Sequence, residues 1–314
     1  MENEKIIYDG HIHMKYKALS PDEPRAFAEK AFREAGVGGG LVISPPPLSR
    51  ARNEESWYSS GYEPLSNRAR MDAVLDFCSK LPHYYPCYWI DPTEPDAIRQ
   101  TILAKELGIR ALKVICETHY PAAGLECYRM AAQLDMPILF HCGSLWGSGM
   151  PSADFNRPAN WECMLDVYGC RFCLAHIGWP WQSECLALYG KLKQAGFKRK
   201  DRKCDIYIDC SPGTPEIDRA DIFRRFALLG YDLSETLIWG VDSCVEKYSG
   251  AYAKWIYDWD IKMFAELQRD WGGWQGFRCE GSFMHEQEEE KRDFNRIIDN
   301  AMTLNLRRFL GEKV

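Results

Sequence analysis

The chain has 314 residues, of which 46% are hydrophobic and 13% aromatic, enough to bury a sizeable core in one domain spanning the whole of 1–314. Its formal net charge of -6 and pI of about 5.7 give no basic footprint for nucleic acid or an anionic membrane surface. Neither a secretory leader nor an apolar run of membrane-spanning length is visible, so a cytoplasmic protein acting on a small molecule is expected.

Eight short β-rich runs, at 6–13, 39–44, 84–91, 109–116, 136–142, 171–177, 204–211 and 236–242, alternate with helical patterns. The first ends in Asp9-Gly10-His11-Ile12-His13. Alternate side chains of a strand share a face, so this His-x-His sets two imidazoles side by side, ready to grip one metal ion. Ser20-Pro21-Asp22-Glu23 reads as a capping box whose helix stops at Gly36. The connection after the second run, about 45–67, is long and carries Trp57, Tyr58 and Tyr62. His83 reads as the plain start of the third run, and Thr93-Glu94-Pro95-Asp96 opens a helix ending near Gly108.

The fourth run carries Lys113, with His119 just beyond it; the fifth ends in Phe140-His141-Cys142-Gly143, followed by Trp146 and Arg157. Cys170-Arg171-Phe172-Cys173 has a redox or zinc spacing, yet it starts the sixth run and has no second pair, so packing is expected. That run ends in Ala175-His176-Ile177-Gly178, with Trp179 and Trp181 close behind. The eighth ends in Gly240-Val241-Asp242-Ser243 and leads into an aromatic-dense connection from Tyr248 to Trp274, which reads equally as a lid or as a helix packed on the scaffold. His285, in His285-Glu286-Gln287-Glu288, reads as a solvated helix face. The 13 cysteines are odd in number and several sit inside apolar runs, where Cys behaves as a small core hydrophobe, so a disulfide framework is not expected.

Eight strand–helix units predict an α/β fold, a (β/α)8 TIM barrel of one domain with loop insertions after strands two and eight. Function in such a barrel sits at the C-terminal ends of the strands, where His11, His13, His141, His176 and Asp242 fall. Five polar ligand types recurring where strands stop form a site pattern.

In these motifs the chain resembles the amidohydrolase superfamily, and within it the amidohydrolase-related branch that includes aminocarboxymuconate-semialdehyde decarboxylase. The likeness runs through His11-Ile12-His13, Gly108-Ile109-Arg110-Ala111-Leu112-Lys113-Val114, Pro137 to Gly143, Ala175-His176-Ile177-Gly178, Gly240-Val241-Asp242-Ser243 and a closing Ile297-Ile298-Asp299-Asn300-Ala301. The resemblance implies that Asp242 takes a proton from water and passes it to the leaving group. It also implies a choice at Lys113, which in binuclear relatives is carboxylated and bridges two ions, His141 and His176 then holding the second; the mononuclear branch fits the rest of the chain better. A homodimer is a further expectation by analogy.

From the residues themselves, neutral imidazoles plus one carboxylate suit Zn²⁺, Mn²⁺ or Fe²⁺, zinc foremost. The expected ligands are His11, His13, His141 and Asp242, with Asp242 and His176 as the catalytic groups. Trp146 and Trp179 are expected to wall a pocket, and Lys113, His119 and Arg157 to meet substrate. The expected function is hydrolysis of an amide, ester or lactone; the alternative is non-oxidative decarboxylation of a carboxylated aromatic or muconate-like acid; the third is an inactive barrel serving as a binding module.

Overall fold

The structure, a computed structural model, describes residues 5–15, 23–47, 65–146, 152, 154–198, 204–213, 216–228, 231–273 and 293–314. The connection bearing Trp57, Tyr58 and Tyr62, the Ser20-Pro21-Asp22 opening of the first helix, Trp274 and His285 lie outside them.

The strands are β1 (Ile7–His13), β2 (Val37–Ile43), β3 (Tyr84–Trp89), β4 (Ala111–Val114), β5 (Ile138–Phe140), β6 (Arg171–Leu174), β7 (Asp205–Asp209), β8 (Leu237–Ile238) and β9 (Ser243–Cys244). All pair in parallel, in the order β8-β7-β6-β5-β4-β3-β2-β1-β9. β8 and β9 are two halves of one eighth strand, the first bonded to β7 and the second to β1. Between them Gly10 N donates to the Trp239 carbonyl at 2.8 Å, completing the seam. The result is the expected TIM-barrel-like α/β fold. Helices fill the connections: α1 (Glu23–Ala35), α2 (Asn67–Ser79), α3 (Ala97–Glu106), α4 (Leu125–Gln133), α5 (Gln182–Lys198), α6 (Glu216–Leu228), α7 (Gly250–Trp271), α8 (Phe294–Thr303) and α9 (Asn305–Phe309). α1 and α3 stop where read from the sequence, with Gly36 at φ 73° and Gly108 at φ 92°, the left-handed conformation a helix C-terminus takes up most cheaply with glycine.

Strand parity sorts side chains between two apolar layers. Leu41, Ile43, Cys87, Trp89, Ala111, Leu139, Cys173 and Tyr207 fill the barrel interior, plugged at its base by Leu306, Phe309 and Leu310 of the C-terminal end. Val42, Tyr88, Leu112, Phe140, Phe172, Leu174, Ile206 and Ile208 face the helices. The same parity puts Cys170 in the outer layer and Cys173 in the inner one, so the Cys-x-x-Cys pair straddles the sheet; both are free thiols. The aromatic connection after Asp242 is a barrel helix: α7 buries Ala253, Ile256, Met263, Phe264 and Leu267 and runs beside α1 and α8. Among the described residues none from this connection lines the cavity at the strand ends.

Candidate metal centre

Parity carries directly into the site. Ala111 inside the barrel makes Lys113 point inward, Leu139 does the same for His141, and Tyr207 for Asp209. His11 and His13, both buried, come from the end of β1. His176 and Asp242 arrive differently. They follow their strands with φ of 60° and 51°, and Ile177 has φ 52°, a left-handed backbone costing of order 1–3 kcal/mol per non-glycine residue. Both side chains line the cavity, and the turn sets the His176 ring against Gly213. Gly213 makes room for it, since a Cβ there would lie 2.4 Å from Cγ and Nδ1 of His176.

The ligand atoms converge. His11 Nε2 and His13 Nε2 are 3.2 Å apart, and Asp242 Oδ1 stands 3.5 Å from the first and 3.4 Å from the second. Two residues that the sequence reading passed over organise the group. Asp209 Oδ2 lies 2.6 Å from His11 Nδ1. Burial pushes the Asp209 carboxyl up, but the charge and hydrogen bond of His11 outweigh it and hold the group well below the carboxylate range. The carboxylate accepts the Nδ1 hydrogen, so a ring carrying one hydrogen presents its Nε2 lone pair toward His13 and Asp242. Asp9 is the second. Its Oδ1 accepts from His11 N at 2.9 Å and Val241 N at 3.0 Å, and its Oδ2 from the Tyr248 hydroxyl at 2.8 Å, pinning β1 to the end of the eighth strand. Asp209 stands near the end of the seventh β-rich run as His141 does in the fifth, so strand-end position was a signal available for it.

Burial also decides protonation. It lowers His13 to about 3 and His176 to about 4, in each case against the pull of Asp242, and lowers His141 far below its ordinary value with help from His176 and Lys113. Burial raises Asp242, yet the imidazoles, His11 first, hold it well below the usual range. Neutral rings and an ionised carboxylate are the forms that bind a divalent cation, so the donor set fits one. Lys113 Nζ sits 3.2 Å from His11 Nε2, and burial lowers its pKa despite Asp242 and Asp209.

The other expected residues divide. His141 lines the cavity with its Nε2 3.2 Å from the Ser144 carbonyl, and among the described residues it is not in the groups whose ligand atoms all lie within 4.8 Å of one another. Trp146 and Trp179 stack with centroids 5.1 Å apart on the cavity wall, the latter anchored by Nε1 donating to Asp218 at 2.7 Å. Arg157 does not reach the cavity: its guanidinium pairs with Glu184 and lies 5.3 Å over the Trp181 ring, satisfied where it is. His119 also stays off the cavity lining, half-buried beyond β4, with neither ring nitrogen hydrogen-bonded among the described residues. The cavity is about 350 Å³, with Ile115, Leu145, Trp146 and Trp179 on its apolar side and His11, His13, Lys113, His141, His176 and Asp242 on its polar side.

With this geometry in view, comparison with known proteins gives the following. No family model matches the chain, and no curated protein matches it in sequence. Among solved structures it is similar to 4-oxalomesaconate hydratase LigJ from Rhodopseudomonas palustris, with a TM-score of 0.58 and 14% identity over 98% of this chain and 96% of that one. An Agrobacterium tumefaciens protein in apo form gives a TM-score of 0.54 and 13% identity over 98% and 94%. The likeness is one of fold. It extends over essentially the full length of both chains and supports the barrel; chemistry has to be argued from the site. Among the described residues, no helix is long and apolar enough to cross a membrane.

Proposed function

We propose that the chain is a metal-dependent hydrolase of the amidohydrolase type, acting through an activated water on an amide, ester or lactone of a small organic substrate. The observation that carries this reading is the convergence of His11 Nε2, His13 Nε2 and Asp242 Oδ1 within 3.2 to 3.5 Å of one another, one imidazole having its lone pair turned inward by Asp209. His11, His13 and Asp242 would hold one divalent ion, zinc foremost, as three protein ligands with an open position. When bound, the ion supplies Lewis acidity and lowers the pKa of water to about 7.

The chain's own groups divide the remaining work. Asp242 keeps Oδ1 with the two histidines and turns Oδ2 toward His176 Nε2 at 4.0 Å. That second oxygen, on a side chain 26% exposed, takes the proton from water and returns it to the leaving group. His176 hydrogen-bonds the developing oxyanion. Lys113 faces the substrate from the barrel floor, and the stacked Trp146 and Trp179 hold its apolar part.

Metal analysis by mass spectrometry on protein purified without chelator, with His13→Ala and Asp242→Asn alongside, is the test. About one zinc, manganese or iron per chain, lost in His13→Ala, is expected; no metal after reconstitution would refute the proposal. A panel of esters, lactones and amides in ¹⁸O-water then reads the reaction. Label in the product marks hydrolysis, whereas CO₂ release without label marks decarboxylation.

A further inference from the structure

Ser211, two residues beyond the end of β7 and fully buried, has its hydroxyl between two histidines: Oγ is 3.2 Å from His11 Nδ1 and 2.9 Å from His176 Nδ1. Its backbone N donates to Asp209 Oδ1 at 2.6 Å, so the loop that carries it is held by the same carboxylate that faces His11. A hydroxyl has one hydrogen to give. His11 Nδ1 already carries a hydrogen, claimed by Asp209 Oδ2 at 2.6 Å, so the serine cannot donate there and has only an acceptor's role toward that ring. The serine hydrogen is thereby left for His176 Nδ1, at 2.9 Å. A ring nitrogen that accepts is the unprotonated one, and in a neutral imidazole the hydrogen then sits on the other nitrogen.

We propose that Ser211 is a positioning residue that favours the Nε2–H tautomer of His176, making His176 a hydrogen-bond donor to the cavity while His11, His13 and Asp242 hold the ion. This deepens the proposed function and rests on it for the identity of the neighbouring ligands. It also separates two histidines of similar burial. Asp209 makes His11 Nε2 a lone pair, and Ser211 makes His176 Nε2 a donor. The two oxygens of Asp242 match this division, Oδ1 beside the lone pairs of His11 and His13 and Oδ2 on the side of the His176 hydrogen. Gly213 lies against the Nδ1 edge of the His176 ring, where a Cβ would come within 2.4 Å of Cγ and Nδ1.

The test is the tautomer itself. In protein labelled with ¹⁵N-histidine, correlations between ring nitrogens and carbon-bound ring hydrogens distinguish Nδ1–H from Nε2–H for each residue, and His176→Gln assigns the His176 signals by their loss. His176 is expected as Nε2–H in the metal-free full-length chain and again after one equivalent of Zn²⁺. Ser211→Ala is expected to shift it to Nδ1–H or a mixture, and Ser211→Thr, which keeps the hydroxyl, to restore it. A wild-type His176 found as Nδ1–H, or with Nε2 ligating zinc, overturns the proposal even where Ser211→Ala does not fold. Failure of zinc to bind the wild type would instead refute the hydrolase reading while the metal-free tautomer still decides this one.

Discussion

Asp209→Asn is the substitution whose consequence the geometry defines most sharply. The amide matches the carboxylate in shape and can keep one oxygen accepting from Ser211 N, now at 2.6 Å, and from His176 N at 3.5 Å. The position of Oδ2, 2.6 Å from His11 Nδ1, then passes to an NH₂ group. Two N–H donors cannot face each other at that distance, so the ring moves its hydrogen to Nε2 or breaks the contact. In the first case Nε2 loses the lone pair it directs toward His13, 3.2 Å away. Removing the outer partner of a ligating histidine costs about 10–100-fold in metal affinity, which is about 1.4 to 2.8 kcal/mol at 1.4 kcal/mol per tenfold. Zinc affinity measured by competition with a chromophoric chelator should fall by that factor, with the melting temperature of the metal-free protein followed as a control. Unchanged affinity in a folded variant would mean that Asp209 does not set the His11 tautomer, and the assignment of His11 as a ligand would go with it.

Other outcomes follow from single contacts. Gly213→Ala places a methyl 2.4 Å from the His176 ring and should cost about 1–3 kcal/mol in a urea melt, together with activity, because the ring has to move; an unchanged midpoint would refute the close approach. Trp146→Ala removes a ring that is 73% exposed, so stability should change by no more than about 0.5 kcal/mol. On whichever substrate the panel identifies, KM should rise with kcat nearly kept, and a loss in kcat alone would speak against a wall role. Removing bound zinc with a chelator should lower the melting temperature, by the linkage between ligand and folded state, and His13→Ala should abolish the difference. For the metal-free chain, His13 and His176 are lowered by burial to about 3 and about 4 from 6.5. The unfolded chain therefore binds more protons than the folded one between those values and pH 6.5, and stability falls as pH drops through that window by about 1.4 kcal/mol per pH unit for each ring. Asp9, raised by burial to about 7, works in the opposite direction, and His141, also lowered, adds to the loss. Urea midpoints at pH 7, 6 and 5 should decline in that order; a flat profile would mean that the rings are not buried in neutral form.

The barrel was legible in the chain because its signals are local. Apolar runs of strand length, the glycines that end α1 and α3, and period-two alternation all act over a few residues, and β1, β3, β5 and β7 fall where those signals put them. His11 and His13 were legible for the same reason, as a spacing on one strand. What the sequence alone could not settle depends on chain distant in sequence. The eighth strand is read as one run, yet it divides into β8 and β9 because closing the barrel requires one part to pair with β7 and the other with β1. His176, Ile177 and Asp242 sit on left-handed backbone at the strand ends, to which histidine and aspartate are only modestly predisposed and isoleucine is not. Arg157 was given a role by position, but its guanidinium goes to the nearest carboxylate, and Glu184 became its neighbour only on folding. The sequence by itself determined which donor types stand at the strand ends. Tertiary structure alone decided what His11 Nδ1 meets, because Asp209 and Ser211 lie about two hundred residues from His11 along the chain and within 2.6 and 3.2 Å of that nitrogen in the fold.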